Sequence, residues 1–191
     1  MPILTFPETR QSQSFDCGAS ATQSVLYYYG IERREDHIIK EMGTTEAGTP
    51  PGLIAKYMLQ QGLCLYAGRM SIASLKRWID KGVPVIMPIQ AWPEDPQKDY
   101  AIALDEGHYV VAIGYEDGQI VFDDPALLGN RGRIPEAELD VRWHDVAEEK
   151  WMLEHFGMAV FGRKPQYNPK QIIKIESLQK RVASRWLEHN A

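Results

Sequence analysis

Chemistry is first legible in this sequence at a cysteine that heads an apolar segment. The run reads Gln11-Ser12-Gln13-Ser14-Phe15-Asp16-Cys17-Gly18. Thr22, Val25, Leu26 and Tyr29 then recur at spacings of three and four, which predicts a helix with one buried face. Asp16 suits the N-cap, so Cys17 falls in the first turn, and Gly30 suits the end of the helix. There a thiol meets unpaired N–H groups and the positive end of the helix dipole, which favour the thiolate, the form that attacks carbonyl carbon. Gly18 leaves the approach to the sulfur open. Gln11 can aim an amide N–H at an oxygen on which negative charge develops, with the Cys17 backbone N–H as second donor of an oxyanion hole. Asp-Cys-Gly alone also describes a buried cysteine at the start of a core helix.

A second cluster lies far along the chain. Residues 108–115 and 119–123 read as two strands joined by Glu116-Asp117-Gly118, a strong hairpin signal. His108 stands at the mouth of the first strand and Asp124 at the exit of the second. A tight turn places the two open ends side by side. A carboxylate accepting from one imidazole nitrogen orients the ring and leaves the other nitrogen for a thiol. Asp123 is a competing carboxylate, although Asp124 fits the strand exit better.

The elements that must position these residues change character along the chain. After the cysteine helix, short helices are expected over 36–42, closed by Gly43, and over 53–61, closed by Gly62. A strand at 63–66 and a helix capped by Ser71 and running to Ile79 follow. The apolar run 83–89 carries Pro84 and Pro88, which points to an edge or distorted strand. Residues 91–106 form a loop with five acidic residues leading to His108; a solvated loop is expected, and contact with a basic substrate is the sharper reading. A short helix at 135–141 and a strand at 157–162 complete the domain. Helices first and strands afterwards predict an α+β fold.

Composition bounds the rest. The 191 residues suffice for one domain with a substantial core. A net charge of −5 argues against a general nucleic-acid binder. Residues 163–191 carry a balance of +5, so residues 1–162 carry −10. Cys17 and Cys64 show no disulfide framework and are expected reduced, in a cytoplasmic protein. Cys64 is expected to pack in its strand. No apolar run approaches the roughly 18 residues of a membrane span. The five histidines show no zinc-site spacing, and neither metal nor cofactor is expected. Two units are expected: a catalytic domain over 1–165, and over 166–191 an amphipathic helix with Ile172, Ile175, Leu178, Val182 and Trp186 on one face. That helix is expected to dock on the domain, with a partner-binding or membrane-surface role as the alternative.

Taken together, Gln11-x5-Cys17-Gly18, Gly107-His108-Tyr109-Val110-Val111 and Asp123-Asp124-Pro125-Ala126 resemble the bacteriocin-processing cysteine peptidases, papain-like domains that cut leader peptides after a double glycine. Asp16-Cys17-Gly18-Ala19-Ser20, followed by 25–30, is close to that family's nucleophile helix. The resemblance covers roughly residues 5–145, including Gly129, Ile134 and Trp143. It implies a papain-like fold in which the nucleophile helix packs on an antiparallel sheet. It also makes Cys17 the nucleophile, His108 the general base and acid, Asp124 its orienting partner and Gln11 the oxyanion donor. Exporter-linked members continue into a membrane domain and an ATPase. This sequence has neither a span nor a Gly-x4-Gly-Lys-Ser/Thr loop, and reads as a stand-alone member.

The expected function is therefore a cysteine peptidase acting on a peptide or protein through an acyl-enzyme on Cys17. A papain-like acyltransferase using the same thioester, and a non-catalytic peptide-binding domain, are the alternatives.

Overall fold

Small residues decide where the first helix sits. The computed structural model describes residues 3–92, 97–147 and 151–172. In it α1 (Cys17–Tyr28) carries Gly18, Ala19, Ser20, Ala21, Thr22 and Ser24 in its first two-thirds, all buried. Short side chains let the helix lie close to the sheet, and it is covered nearly all round rather than on the single face its periodicity predicts. Gly30, at φ 75°, follows the helix, with Ile31 N–H bonded to Leu26 O at 2.8 Å. A left-handed residue of this kind closes a helix without a Cβ clash.

Two short helices, α2 (Glu35–Met42) and α3 (Pro51–Gln60), pack beside α1. Beyond them come β1 (Cys64–Arg69) and α4 (Ile72–Asp80), whose Ser71 cap accepts from Ser74 N–H at 3.2 Å. Then follow β2 (Val85–Gln90), β3 (Gly107–Glu116), β4 (Gln119–Asp123), β5 (Gly132–Pro135), α5 (Glu136–Arg142) and β6 (Phe156–Phe161). The six strands form one antiparallel sheet in the order β1-β6-β2-β3-β4-β5. This is an α+β papain-like architecture with the Cys17 helix on an antiparallel sheet.

Both faces of the sheet are covered. Val111, Ile113, Met158 and Val160 join α1, α2 and α3 in one core; Val110, Ala112, Phe122 and Ala159 join α4 and α5 in the other. Alternate strand residues serve opposite cores, so the central strands read as unbroken apolar runs.

Two expectations are corrected here. The strand formed by the 83–89 run, β2, with Pro88 inside it and Pro84 just before it, is central, between β6 and β3, and buried throughout. Pro84 O accepts from Val160 N–H at 3.2 Å, so even-numbered positions of β2 face β6. The β2–β6 pairing stops at Ile86↔Met158, and Pro88 lies just beyond, where no ladder donor is required. Cys64, expected inside, is exposed on edge strand β1. The short β5 was not anticipated from sequence.

Past β6 the backbone crosses the end of α1, where Gln166 N–H and Tyr167 N–H both donate to Tyr28 O, at 2.9 and 3.2 Å. The expected amphipathic helix lies mostly outside the described residues. Among the described residues no helix is long and apolar enough to cross a membrane.

Candidate active site

Cys17 is the first residue of α1, and its side chain is 8% exposed. The Tyr109 backbone N–H, on β3, points at Cys17 Sγ at 3.5 Å. That approach depends on Gly18: a Cβ there would lie 3.1 Å from Thr49 Cβ and 3.2 Å from Tyr109 Cδ2. Asp16 holds the N-cap position, but its side chain does not cap the helix, contrary to expectation. Fully buried, its carboxylate accepts from Ser12 Oγ at 2.7 Å and Gln13 N–H at 3.0 Å. It closes the 11–16 loop and leaves the helix end facing the thiol.

The hairpin brings its two ends together. His108 Nε2 and Asp124 Oδ1 are 2.7 Å apart, both buried. Nδ1 is left for the side of Cys17. Burial pushes the His108 pKa down, but the bond to Asp124 and the neighbouring Cys17 outweigh it, and the pKa is pushed up to about 9. For Asp124 burial pushes the other way. The bond and charge of His108, the Ala126 N–H at 2.8 Å and the Trp92 indole at 3.0 Å prevail and hold it below its ordinary value.

Asp123 has a separate structural post. It bonds to Arg131, whose guanidinium also donates to Phe6 O and, at 3.2 Å, to Pro7 O. Burial pushes the Asp123 pKa up to about 7 against the pull of that cation. This strap fixes the segment leading to Gln11.

Gln11 is anchored to the other half of the site, its backbone N–H donating to Pro125 O at 3.0 Å. Its Nε2 donates to Gln13 O at 2.8 Å, which engages one amide hydrogen and leaves the second; Oε1 is buried without a partner. The structure thus places Cys17, His108 and Asp124 in one cluster and ties Gln11 to its rim.

A cleft of about 340 Å³ opens in front of the thiol, walled by Phe15, residues 45–51, Tyr109 and residues 145–147. Past Pro50, Pro51, Ala147 and Leu153 it continues into an apolar groove of about 790 Å³, which Leu53, Ala67 and the exposed Trp151 line. A cavity of about 450 Å³ beside Ile102, Trp143 and His155 shares Arg69, Met152 and Glu154 with that groove and touches none of the four candidate residues. Among the described residues no group of three or more His, Cys, Asp or Glu side chains could hold a metal.

Residues 3–150 match the profile of the Peptidase_C39 like family. The chain belongs to that family. An uncharacterized protein of Methanothermobacter marburgensis is 26% identical over 125 residues, 65% of this chain and 72% of that protein. Three solved structures share the fold. A putative C39-like peptidase from Bacillus anthracis has a TM-score of 0.65 at 13% identity, covering 87% of this chain and 100% of that one. The peptidase domain of Streptococcus ComA, a bi-functional ABC transporter, has a TM-score of 0.62 at 18% identity, covering 83% and 97%. A double glycine motif protease from an AMS/PCAT transporter, in complex with its leader peptide, has a TM-score of 0.60 at 19% identity, covering 87% and 99%. The chain is a cysteine-peptidase-type domain.

Sequence reasoning overlooked three features of this C39-like site. The Tyr109 donor is a backbone group, invisible to any reading of side-chain types. Trp92 sits in the 91–106 loop, where nothing in sequence pairs it with Asp124. The loop's own ends are tied: Gln90 Oε1 accepts from Glu106 N–H at 3.1 Å, and Ala91 N–H donates to Glu106 O at 3.0 Å. That closure returns Trp92 to the Asp124 end of the hairpin. The third is Asp145, a cleft-lining carboxylate whose neighbour Trp143 was noticed only as a marker of resemblance. The acidic residues at the end of the loop are partly neutralised, since Lys98 Nζ lies 2.7 Å from both Asp105 and Glu106.

Proposed function

We propose that this chain is a cysteine peptidase that cuts a peptide bond through an acyl-enzyme on Cys17. The observation that carries the reading is the 2.7 Å contact between His108 and Asp124 beside a thiol at a helix N-terminus. Held charged by Asp124, the His108 imidazolium favours a thiolate on Cys17, as does the helix end. The thiolate adds to the peptide carbonyl carbon. The oxygen takes up the negative charge within reach of the Cys17 N–H and the second N–H of the Gln11 amide. The C–N bond breaks as His108 gives its proton to the leaving amine, and a thioester remains. Neutral His108 then takes a proton from water, hydroxide adds to the thioester, and the acid leaves as the thiolate and imidazolium are restored.

A peptide substrate is supported by the leader-peptide complex of the related transporter protease and by the apolar groove that extends the cleft here. The test compares the two thiols with iodoacetamide at neutral pH. Cys64 is exposed and Cys17 nearly covered, so access alone favours Cys64. Cys17 is expected to react roughly tenfold faster, and to lose that lead in His108→Ala. Faster labelling of Cys64 in the native protein removes the proposal, as does hydrolysis that survives Cys17→Ala. With substrate in hand, added amines distinguish acyl transfer from hydrolysis by the product formed.

A further inference from the structure

Asp145 is held as a recognition group is held. Val146 N–H donates to its Oδ1 at 2.8 Å, and the buried Gln90 amide reaches the same oxygen at 3.4 Å. Its backbone is pinned as well, Leu153 N–H donating to Asp145 O at 2.8 Å beside the Val146↔Met152 bridge. Among the described residues both side-chain bonds end on Oδ1, which leaves Oδ2 for a ligand. The carboxylate lies over Gly107, the residue before His108, where a Cβ would stand 2.6 Å from both oxygens. Only glycine admits a carboxylate at that place, which gives Gly107 a reason beyond the strand start.

The carboxylate lines the same cleft as Cys17, and so does Glu46, on the 45–51 loop. Among the described lining residues there is no lysine, arginine or histidine. A partly buried carboxylate with spare acceptor capacity is stabilised by a cation that brings its own N–H donors. We infer that this cleft selects a cationic group: Asp145, with Glu46, receives a lysine, arginine or free amino group of the peptide beside the scissile bond. The inference rests on the peptidase reading of the site and names the substrate class that goes with it.

Charged thiol reagents test the cleft without a known substrate. Cys17 is modified with methanethiosulfonates bearing either an ethylammonium or an ethylsulfonate group, and Cys64 in the same molecules serves as reference. The His108 imidazolium draws the anionic reagent, so the readout is the change in the cation-to-anion rate ratio between proteins. Asp145→Asn is expected to lower that ratio roughly tenfold at Cys17 and leave it unchanged at Cys64. Glu46→Gln, on an exposed loop that tolerates the change, is expected to lower it in the same direction. In peptides, lysine in place of glutamine at the cleft position is expected to lower KM for the native protein and not for Asp145→Asn. A ratio at Cys17 that neither variant moves overturns the inference. Slow reaction of Cys17 with both reagents and with iodoacetamide, with the ratio still shifted by the variants, overturns the peptidase reading and keeps the cationic cleft.

Discussion

The Trp92 indole N–H donates to Asp124 Oδ2 at 3.0 Å, while Asp124 Oδ1 holds His108 Nε2 at 2.7 Å. The carboxylate is therefore gripped at both oxygens, and its plane, which sets the plane of the imidazole, is fixed from the side away from the histidine. Trp92 does this from φ 58°, a left-handed conformation that a bulky residue rarely adopts. Backbone in such a region is kept where the surroundings over-determine it, and functional sites are where it collects. Trp92→Phe keeps the ring and removes the donor. Cys17 alkylation is expected to slow by roughly tenfold, the scale of one hydrogen bond to a charged group. The melting temperature is expected to move little, because Trp92 is more than half exposed. An unchanged rate would leave the indole as a cover and nothing more.

The raised His108 pKa makes stability depend on alkali. The folded protein holds this proton up to about pH 9, whereas an unfolded histidine releases it near 6.5. The stabilisation is fully present below the unfolded value and is lost as pH rises through about 9. The native protein is expected to melt at falling temperatures across that window, and His108→Gln to lack that component of the slope. Parallel slopes for the two proteins would show that the linkage lies elsewhere.

The adjacent carboxylates should separate cleanly on substitution. Asp123→Asn removes the partner of Arg131 and frees the strap to Phe6 and Pro7. With Arg131 about a third exposed, the loss of stability is expected at about 2 kcal/mol, below the value for a fully buried pair. Asp124→Asn keeps a polar group of the same shape, and folding is expected to survive. Turnover is expected to fall roughly a hundredfold or more, since a neutral amide no longer holds the imidazole in its tautomer and charge. Urea unfolding and labelling rates on the two variants give the comparison. A reversal, with Asp123 controlling rate and Asp124 stability, would exchange their roles.

Much of this site could be read from the sequence because its signals are local. The helix that starts at Cys17 announces itself by spacing and by Gly30, and the Asp117-Gly118 turn, at φ 47° and 73°, brings the strand ends that carry His108 and Asp124 side by side. What sequence misplaced depends on partners distant in the chain. Pro84, just before the central strand, and Pro88, within it, are harmless only because their side of the ladder is either used by a carbonyl or already past its last partner. Asp16 turns from capping because Ser12 and Gln13 fold back onto it. Cys64 is exposed because β1 is the strand at the edge. Trp92 and Asp145 reach the site through Gln90, a buried glutamine whose amide ties two separate loops, and no periodicity points to such a clasp.

The position of β6 sets an order of events for the growing chain. It is the last described strand to be synthesised, yet it lies between β1 and β2. Tyr29 OH, at the end of the cysteine helix, donates to Val160 O in it at 2.6 Å. Without β6 the sheet falls into two pieces, β1 alone and β2 to β5, with an unpaired edge on each. Residues 156–161 extend the floor that β3 already gives the thiol-bearing helix, adding Met158 and Val160 to the core shared with Val111 and Ile113. The strand that the ribosome delivers last of the six described is thus the one that joins the two halves of the sheet into a single platform.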